Sequence, residues 1–206
     1  MGSLNEVWYH GTHAPRFEDW IFPPPLPGHK PGFFQHSFIF CSTDRHAAKG
    51  GGPNICTVEI RPEAKVLDVR RPSGDVERYW QVVTADQLGR KHVSARNAAT
   101  FASAWQSGQI MRFQTDDQAM TASVVRTQQL ATQFNQGFDT AATRDAFIEA
   151  QNLTRRWIEV LGCCARTLGY DVLIGREIDS QRQRAPDTLF ALTERALMPP
   201  RWRHRW

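Results

Sequence analysis

Short apolar runs, punctuated by proline, glycine and polar clusters, mark out the elements of this chain. Val7-Trp8-Tyr9-His10 reads as a short strand that ends at once in Gly11 and Thr12, a corner where imidazole and backbone can both reach a ligand. Taken alone, such a corner is more often an ordinary strand-to-loop transition. Residues 14–20 follow as a loop or a turn of helix beside Pro15. Residues 23–32 then read Pro-Pro-Pro-Leu-Pro-Gly-His-Lys-Pro-Gly, which neither a helix nor a central strand can absorb. They form a surface loop: a rigid connector, the wall of a cleft, or a polyproline II ligand for an aromatic groove.

Phe38-Ile39-Phe40-Cys41 reads as a buried strand, after which Thr43 or Asp44 caps a short helix through Ala47, Ala48 and Lys49 that Gly50-Gly51-Gly52 stops. Residues 55–60 and 64–69 alternate apolar and polar positions, as two strands joined by a turn or as one strand with a bulge. From residue 75 to about 137 the chain turns rich in Gln, Ala and Thr with few large apolar residues, which predicts an insertion into a single domain of residues 1–206. Within it Asp116 or Asp117 starts a helix with Met120, Val124, Thr127, Ala131 and Phe134 on one face. A second helix, capped by Thr143, carries Phe147, Ile148, Trp157, Ile158 and Leu161 as its apolar stripe and runs to Leu168, with Gly169 as its stop. The largely helical insertion thus covers about 75–165. Strands at 170–175 and 188–192 flank a polar loop at 176–186, and the chain closes on Arg201-Trp202-Arg203-His204-Arg205-Trp206.

Composition narrows the class. At 206 residues, with 41% hydrophobic and 22% charged residues, the chain suits one globular domain and not a disordered segment. No apolar run approaches the roughly eighteen residues needed to span a bilayer, and the N-terminus lacks the form of a secretory signal, so a soluble, membrane-free protein is expected. The net charge of +4 favours anionic partners, and the cations are overwhelmingly arginine, the better fork for phosphate and carboxylate. Cys41, Cys56, Cys163 and Cys164 form no CxxC pair, and they read as reduced, mostly buried thiols of a cytoplasmic protein.

Several common sites are missing from the sequence. It holds no G-x-x-x-x-G-K-[ST] loop, no G-x-G-x-x-G and no G-x-S-x-G elbow. Gly50-Gly51-Gly52 ends a segment instead of opening a helix, as a phosphate cradle would require. His10 and His13 straddle a glycine corner without a nearby acid, so no metal is expected. Cys41 and Cys56 sit in apolar strand patterns, where a buried thiol is a packing residue and not a nucleophile.

What remains is an order of elements: Tyr9-His10-Gly11-Thr12, a proline-rich loop, Phe38-Ile39-Phe40 leading into Ser42-Thr43-Asp44, a small helix, Thr57-Val58-Glu59-Ile60, and much later Tyr170-Asp171-Val172-Leu173-Ile174 and Asp187-Thr188-Leu189-Phe190-Ala191-Leu192. This order resembles the ADP-ribosyltransferase fold, in the branch of poly(ADP-ribose) polymerases, the rifampin ADP-ribosyltransferase and bacterial and phage toxin domains. The resemblance covers roughly the first seventy and last forty residues. It implies an α+β fold with a split β-sheet core, two small and mostly antiparallel sheets with NAD+ in the cleft between them.

By that resemblance His10 bonds the adenosine ribose, the Gly11 backbone holds the nicotinamide carboxamide, and Thr12 adds a hydroxyl bond. An imidazole grips a hydroxyl directionally, and a residue without a Cβ lets the backbone come close to an amide. Phe38 and Phe40, on either side of Ile39, would supply an altered stacking platform for the nicotinamide and Ser42 a hydroxyl, although relatives carry a tyrosine where Ile39 stands and often a second aromatic near Gly50. The acidic residue that stabilises the developing ribose cation would be Asp187, with His10 the other residue assigned to catalysis. A shifted register puts Thr188 there instead, and Glu177 or Asp179 in the preceding loop are further alternatives. Arg16, Arg45 and Arg176 suit a pyrophosphate by type. The implied activity is transfer of ADP-ribose from NAD+ to a macromolecule, protein or nucleic acid, as a toxin or effector acting in the cytoplasm or delivered into a target cell, with a neutralising antitoxin as a conceivable partner. An NAD+ glycohydrolase, a binding module of the same fold without turnover, and an RNA 2'-phosphotransferase are the alternatives. The arginine-tryptophan tail either stacks on single-stranded nucleic acid or packs back on the domain.

Overall fold

Seven strands hydrogen-bond into one open sheet in the computed structural model, which describes residues 6–25, 32–90, 141–176 and 186–202. In chain order the elements are β1 (Trp8–Thr12), β2 (Ile39–Ser42), helix α1 (Arg45–Ala48) with a 3-10 turn at Lys49–Gly51, β3 (Asn54–Val58), β4 (Val66–Asp68), α2 (Gly74–Gly89), α3 (Ala141–Thr167), β5 (Val172–Arg176), β6 (Asp187–Ala191) and β7 (Arg201–Trp202). Across the sheet the order is β4-β5-β6-β2-β1-β3-β7. Neighbours run antiparallel except β4 and β5, which are parallel. The protein is therefore a mixed α+β fold.

The expected pair of separate sheets is corrected to a single sheet with a narrow seam. β1 pairs with β3 along five residues, and β2 pairs with β6 along four, but β1 and β2 meet at one register pair, Tyr9 with Ser42. Nor do β3 and β4 form a hairpin or one bulged strand. They lie toward opposite ends of the sheet, and Arg61-Pro62-Glu63 begins a crossover between them.

The central strands are buried on both faces, which explains their unbroken apolar runs. Phe38, Leu67, Leu173, Phe190 and Leu192 pack on one face under α2 and α3, while Ile39, Cys41, Val172, Ile174, Leu189 and Ala191 pack on the other with Trp8, Val58 and Leu197. Helix α2 falls at the start of the stretch expected to be largely helical, although its bounds and apolar stripe were not read from the sequence. The Ser73 side chain accepts a hydrogen bond from the Val76 amide at its start, and Asp75 and Glu77 complement the positive end of the helix. Its Val76, Tyr79, Trp80 and Val83 recur every three to four residues and lie in the same core as the sheet.

Helix α3 contains Thr143 within its length, so that residue is not its cap, and Gly169 ends the helical segment at φ 85°. The helix proposed from Asp116 or Asp117 lies outside the described residues. Asp44 does cap α1, accepting from the His46 and Ala47 amides.

One buried carboxylate ties three strand ends together. Asp171, 5% exposed, accepts from the Lys65 amide at 3.0 Å and the Thr193 hydroxyl at 2.7 Å, and its own carbonyl accepts from the Leu192 amide. Burial pushes its carboxyl up, but the Thr193 and Lys65 bonds, with Arg195 at 3.6 Å, outweigh this and hold it below the usual carboxylate range. Its contribution to stability is thus full above the unfolded value of about 3.9 and is lost as pH falls through the lower folded value. Asp171→Ala should lower unfolding free energy by about 2–3 kcal/mol at pH 7 in urea titrations, with the gap from wild type closing at acid pH.

Candidate functional site

Beyond Tyr9 and Ser42 the strands β1 and β2 part, and a cavity of about 690 Å³ opens between them. That size suits a small-molecule or cofactor site. Its walls include residues from both faces of β2 and the residue before it, Phe38 and Phe40 from one face and Ile39 and Cys41 from the other. Residues 14–25 supply the outer rim. They are pinned by the C-terminal segment, because Trp20 Nε1 donates to the Met198 carbonyl and Trp202 Nε1 to the Phe17 carbonyl, each at 2.8 Å. Trp202 thus packs back on the domain, and residues 203–206 lie outside the described residues. Pro24 and Pro25 line the rim, in keeping with a cleft wall.

His10 sits at the seam. Its Nδ1 lies 2.8 Å from the Phe40 carbonyl oxygen, which can only accept, so Nδ1 carries the proton and Nε2 keeps its lone pair. The Trp20 ring meets the imidazole edge-on at 5.3 Å between centroids. Burial lowers the His10 pKa, the Phe40 bond opposes this in part, and the net value falls below the ordinary one. The ring is therefore neutral at pH 7, ready to accept a hydrogen bond from a ligand hydroxyl.

Gly11 has a reason for its missing side chain that the sequence did not disclose. A Cβ there would stand 1.8 Å from the Ala48 carbonyl oxygen, and one on Gly51 would stand 2.3 Å from the Gly11 oxygen. The backbone of α1 and the 3-10 turn lies directly on β1, and only glycine permits that approach. Gly11, Gly51 and Gly52 therefore let the helix and its turn pack against the histidine strand.

The remaining predicted residues divide. Thr12, Phe38, Phe40 and Ser42 all line the cavity with His10 and Gly11. The Thr12 hydroxyl accepts from the Ala14 amide at 3.0 Å and that of Ser42 from the Asp44 amide at 3.1 Å, so both also organise their own turns. Phe38 is 1% exposed and stacks on Phe190, whereas Phe40 is half-buried and offers the accessible aromatic surface.

Asp187 does not line the cavity. The alternation along β6 turns it away from Thr188, which does line it, and Asp187 instead meets Arg70. Arg70 is a mostly covered hub that also pairs with Asp68 at 2.7 Å and Glu6 at 3.1 Å, while Arg176 stands 3.9 Å from Asp187. Glu177 and Asp179 lie outside the described residues. Of the arginines proposed for pyrophosphate, Arg16 lines the cavity, but Arg45 and Arg176 are not among its lining residues.

The wall also holds polar residues that were not anticipated, three of them beside α3. Gln35 and His36 precede β2, and Arg155 projects from α3. Asn152, Arg155 and Glu159, spaced three and four apart, form one stripe of α3 that holds the segment before β2: Asn152 Oδ1 accepts from the Phe34 amide at 2.6 Å, Arg155 donates to the Phe34 carbonyl at 3.3 Å, and Glu159 accepts from the Ser37 amide at 3.0 Å. His36 Nδ1 lies 3.3 Å from the same Glu159. The polar stripe was legible at helical spacing, but nothing local told what it would hold. Among the described residues, Asp19 is the one carboxylate on the cavity wall, no acid, cysteine and histidine cluster is placed to hold a metal ion, and no helix is long and apolar enough to cross a membrane. The Cys56 thiol, pushed up to about 12 by burial, is no nucleophile.

Comparison with protein-family models, with curated proteins and with solved structures gives no match.

The close backbone contact generates a test. Gly11→Ala should cost at least about 2 kcal/mol in urea unfolding, because the carbonyl it meets cannot rotate away. An unchanged midpoint would mean that α1 does not lie on β1 as described.

Proposed function

We propose that the cavity binds NAD+ and that the protein is an ADP-ribosyltransferase-like enzyme that passes ADP-ribose to a macromolecular acceptor. The observation that carries this reading is the meeting of His10, Phe40, Ser42 and Thr188, drawn from three separated stretches of chain, around one cavity. Neutral His10 presents Nε2 to a ribose hydroxyl, and half-buried Phe40 offers its ring to the nicotinamide. In the reaction the carbon–nitrogen bond to nicotinamide breaks, nicotinamide leaves with the bonding pair, and the acceptor attacks the oxocarbenium-like ribose as it loses its proton. The β6 side chain turned toward that ribose is Thr188, whose hydroxyl can bond it without supplying a charge.

A second reading has its own support. With Asp187 paired to Arg70 and Thr188 in its place at the cavity, the domain would bind NAD+ or ADP-ribose without turning it over. Calorimetry, nicotinamide release and transfer of labelled ADP-ribose to lysate macromolecules separate the cases. The transferase should bind, release and label. Release without label would make it a glycohydrolase, binding without release would make it a module, and no binding would sink both.

Two variants sharpen the assignment. His10→Ala should weaken NAD+ by about tenfold or more, since it removes a directed bond inside a buried site. Asp187→Asn should leave NAD+ affinity within about twofold while lowering thermal stability through Arg70. A loss of NAD+ affinity in Asp187→Asn as large as in His10→Ala would return the acidic role to Asp187.

A further inference from the structure

We propose that Arg155 is the anion anchor of the cavity, and that the ligand presents a phosphate group to the wall built by α3. The guanidinium lines the cavity, yet among the described residues it has one hydrogen bond, from Nη1 to the neutral Phe34 carbonyl at 3.3 Å, and its Nε finds no partner there. Its plane lies over Phe33, 5.1 Å from the ring centroid, a contact that orients the fork and leaves its charge uncompensated. Among the described residues no carboxylate stands within ion-pair distance of it. Glu159, one turn along α3, directs its oxygens to His36 and Ser37.

A guanidinium carries five donors in a rigid fork and stays charged, so a half-buried one with so few bonds, its Nε buried, is costly unless a ligand completes it. Burial acts on it without any opposing anion, pushing its pKa below the usual arginine value. The ligand group that matches is planar or tetrahedral, anionic and rich in acceptors, and a phosphate meets those terms bidentately. On the rim the carboxylate of Asp19 is matched by the cation of Arg16, both exposed, whereas on the α3 wall Arg155 stands without a carboxylate among the described residues. The charge pattern therefore assigns a direction, with the phosphates toward α3. That the phosphate belongs to NAD+ rests on the reading above, whereas the anion requirement does not.

Calorimetry on the full chain with three probes, NAD+, ADP and adenosine, tests this in wild type, Arg155→Gln and Arg155→Lys. Arg155→Gln should weaken NAD+ and ADP by about tenfold or more and leave adenosine unchanged, and Arg155→Lys, which keeps the charge but loses the fork, should fall between. If Arg155→Gln does not fold, the same comparison is made with Arg155→Lys alone, where several-fold weaker ADP at constant adenosine affinity is expected. Equal loss for all three probes would show a purely structural role and overturn the proposal. So would NAD+ and ADP affinities unchanged by the substitution, although NAD+ binding would then survive. ADP bound by wild type through Arg155, with NAD+ refused, would keep the anion anchor and remove the NAD+ reading. Failure of every probe to bind wild type would overturn both.

Discussion

The hydrogen bond from His10 Nδ1 to the Phe40 carbonyl spans the place where the sheet gives way. Past the Tyr9 and Ser42 pair, backbone no longer bonds backbone between β1 and β2, and an imidazole bridges what the ladder leaves open. Three consequences come from that one bond. It caps the seam, so the cavity has a floor. It fixes the tautomer, so Nε2 is an acceptor, and it holds the ring beside Trp20. Burial keeps the imidazole neutral, and a protonated ring would lose the acceptor that the site offers.

The rest of the fold places walls around that gap. Gly11 and Gly51 let α1 lie on β1, and the stripe of Asn152, Arg155 and Glu159 on α3 holds the segment that leads into β2. Both sides of the cavity are thereby set by backbone contacts and helix-borne side chains, which is the kind of support that keeps a site in geometry without its ligand. The mismatch is electrostatic: among the described residues Arg155 has no opposing carboxylate, while Asp187 has two arginines and faces away. Charge is withheld from the wall where a cation would be stabilised and left uncompensated where an anion would bind. On this pattern recognition of a phosphorylated ligand is better provided for than bond cleavage.

The strands and their corners were legible because local chemistry determined them. Apolar runs at Phe38 and Val172 announced strands, and Thr43 or Asp44 announced the cap of α1, which Asp44 supplies. What escaped had non-local causes. Helix α2 carried its stripe at Val76, Tyr79, Trp80 and Val83, but polar neighbours diluted the composition and hid the periodicity. The glycine at position 11 read as room for a ligand, and it also makes room for the Ala48 carbonyl, far along the chain. Arg155 could not be picked from many arginines, since its want of a partner exists only once α3 lies against Phe33 and Phe34. For β6 a shift of one residue exchanges the faces, and only the pairing with β2 told that Thr188, opposite Ser42, turns to the cavity.

The central claim is that the seam histidine is a neutral acceptor that grips an NAD+ hydroxyl. Long-range nitrogen–proton NMR of the histidine side chains at pH 7, recorded through a titration with NAD+, tests it directly. His10 should show a protonated Nδ1 and an unprotonated Nε2, and its Nε2 resonance should move in a saturable way as NAD+ is added. A His10 signal that reports the opposite tautomer, or that stays fixed at saturating NAD+, would contradict the account.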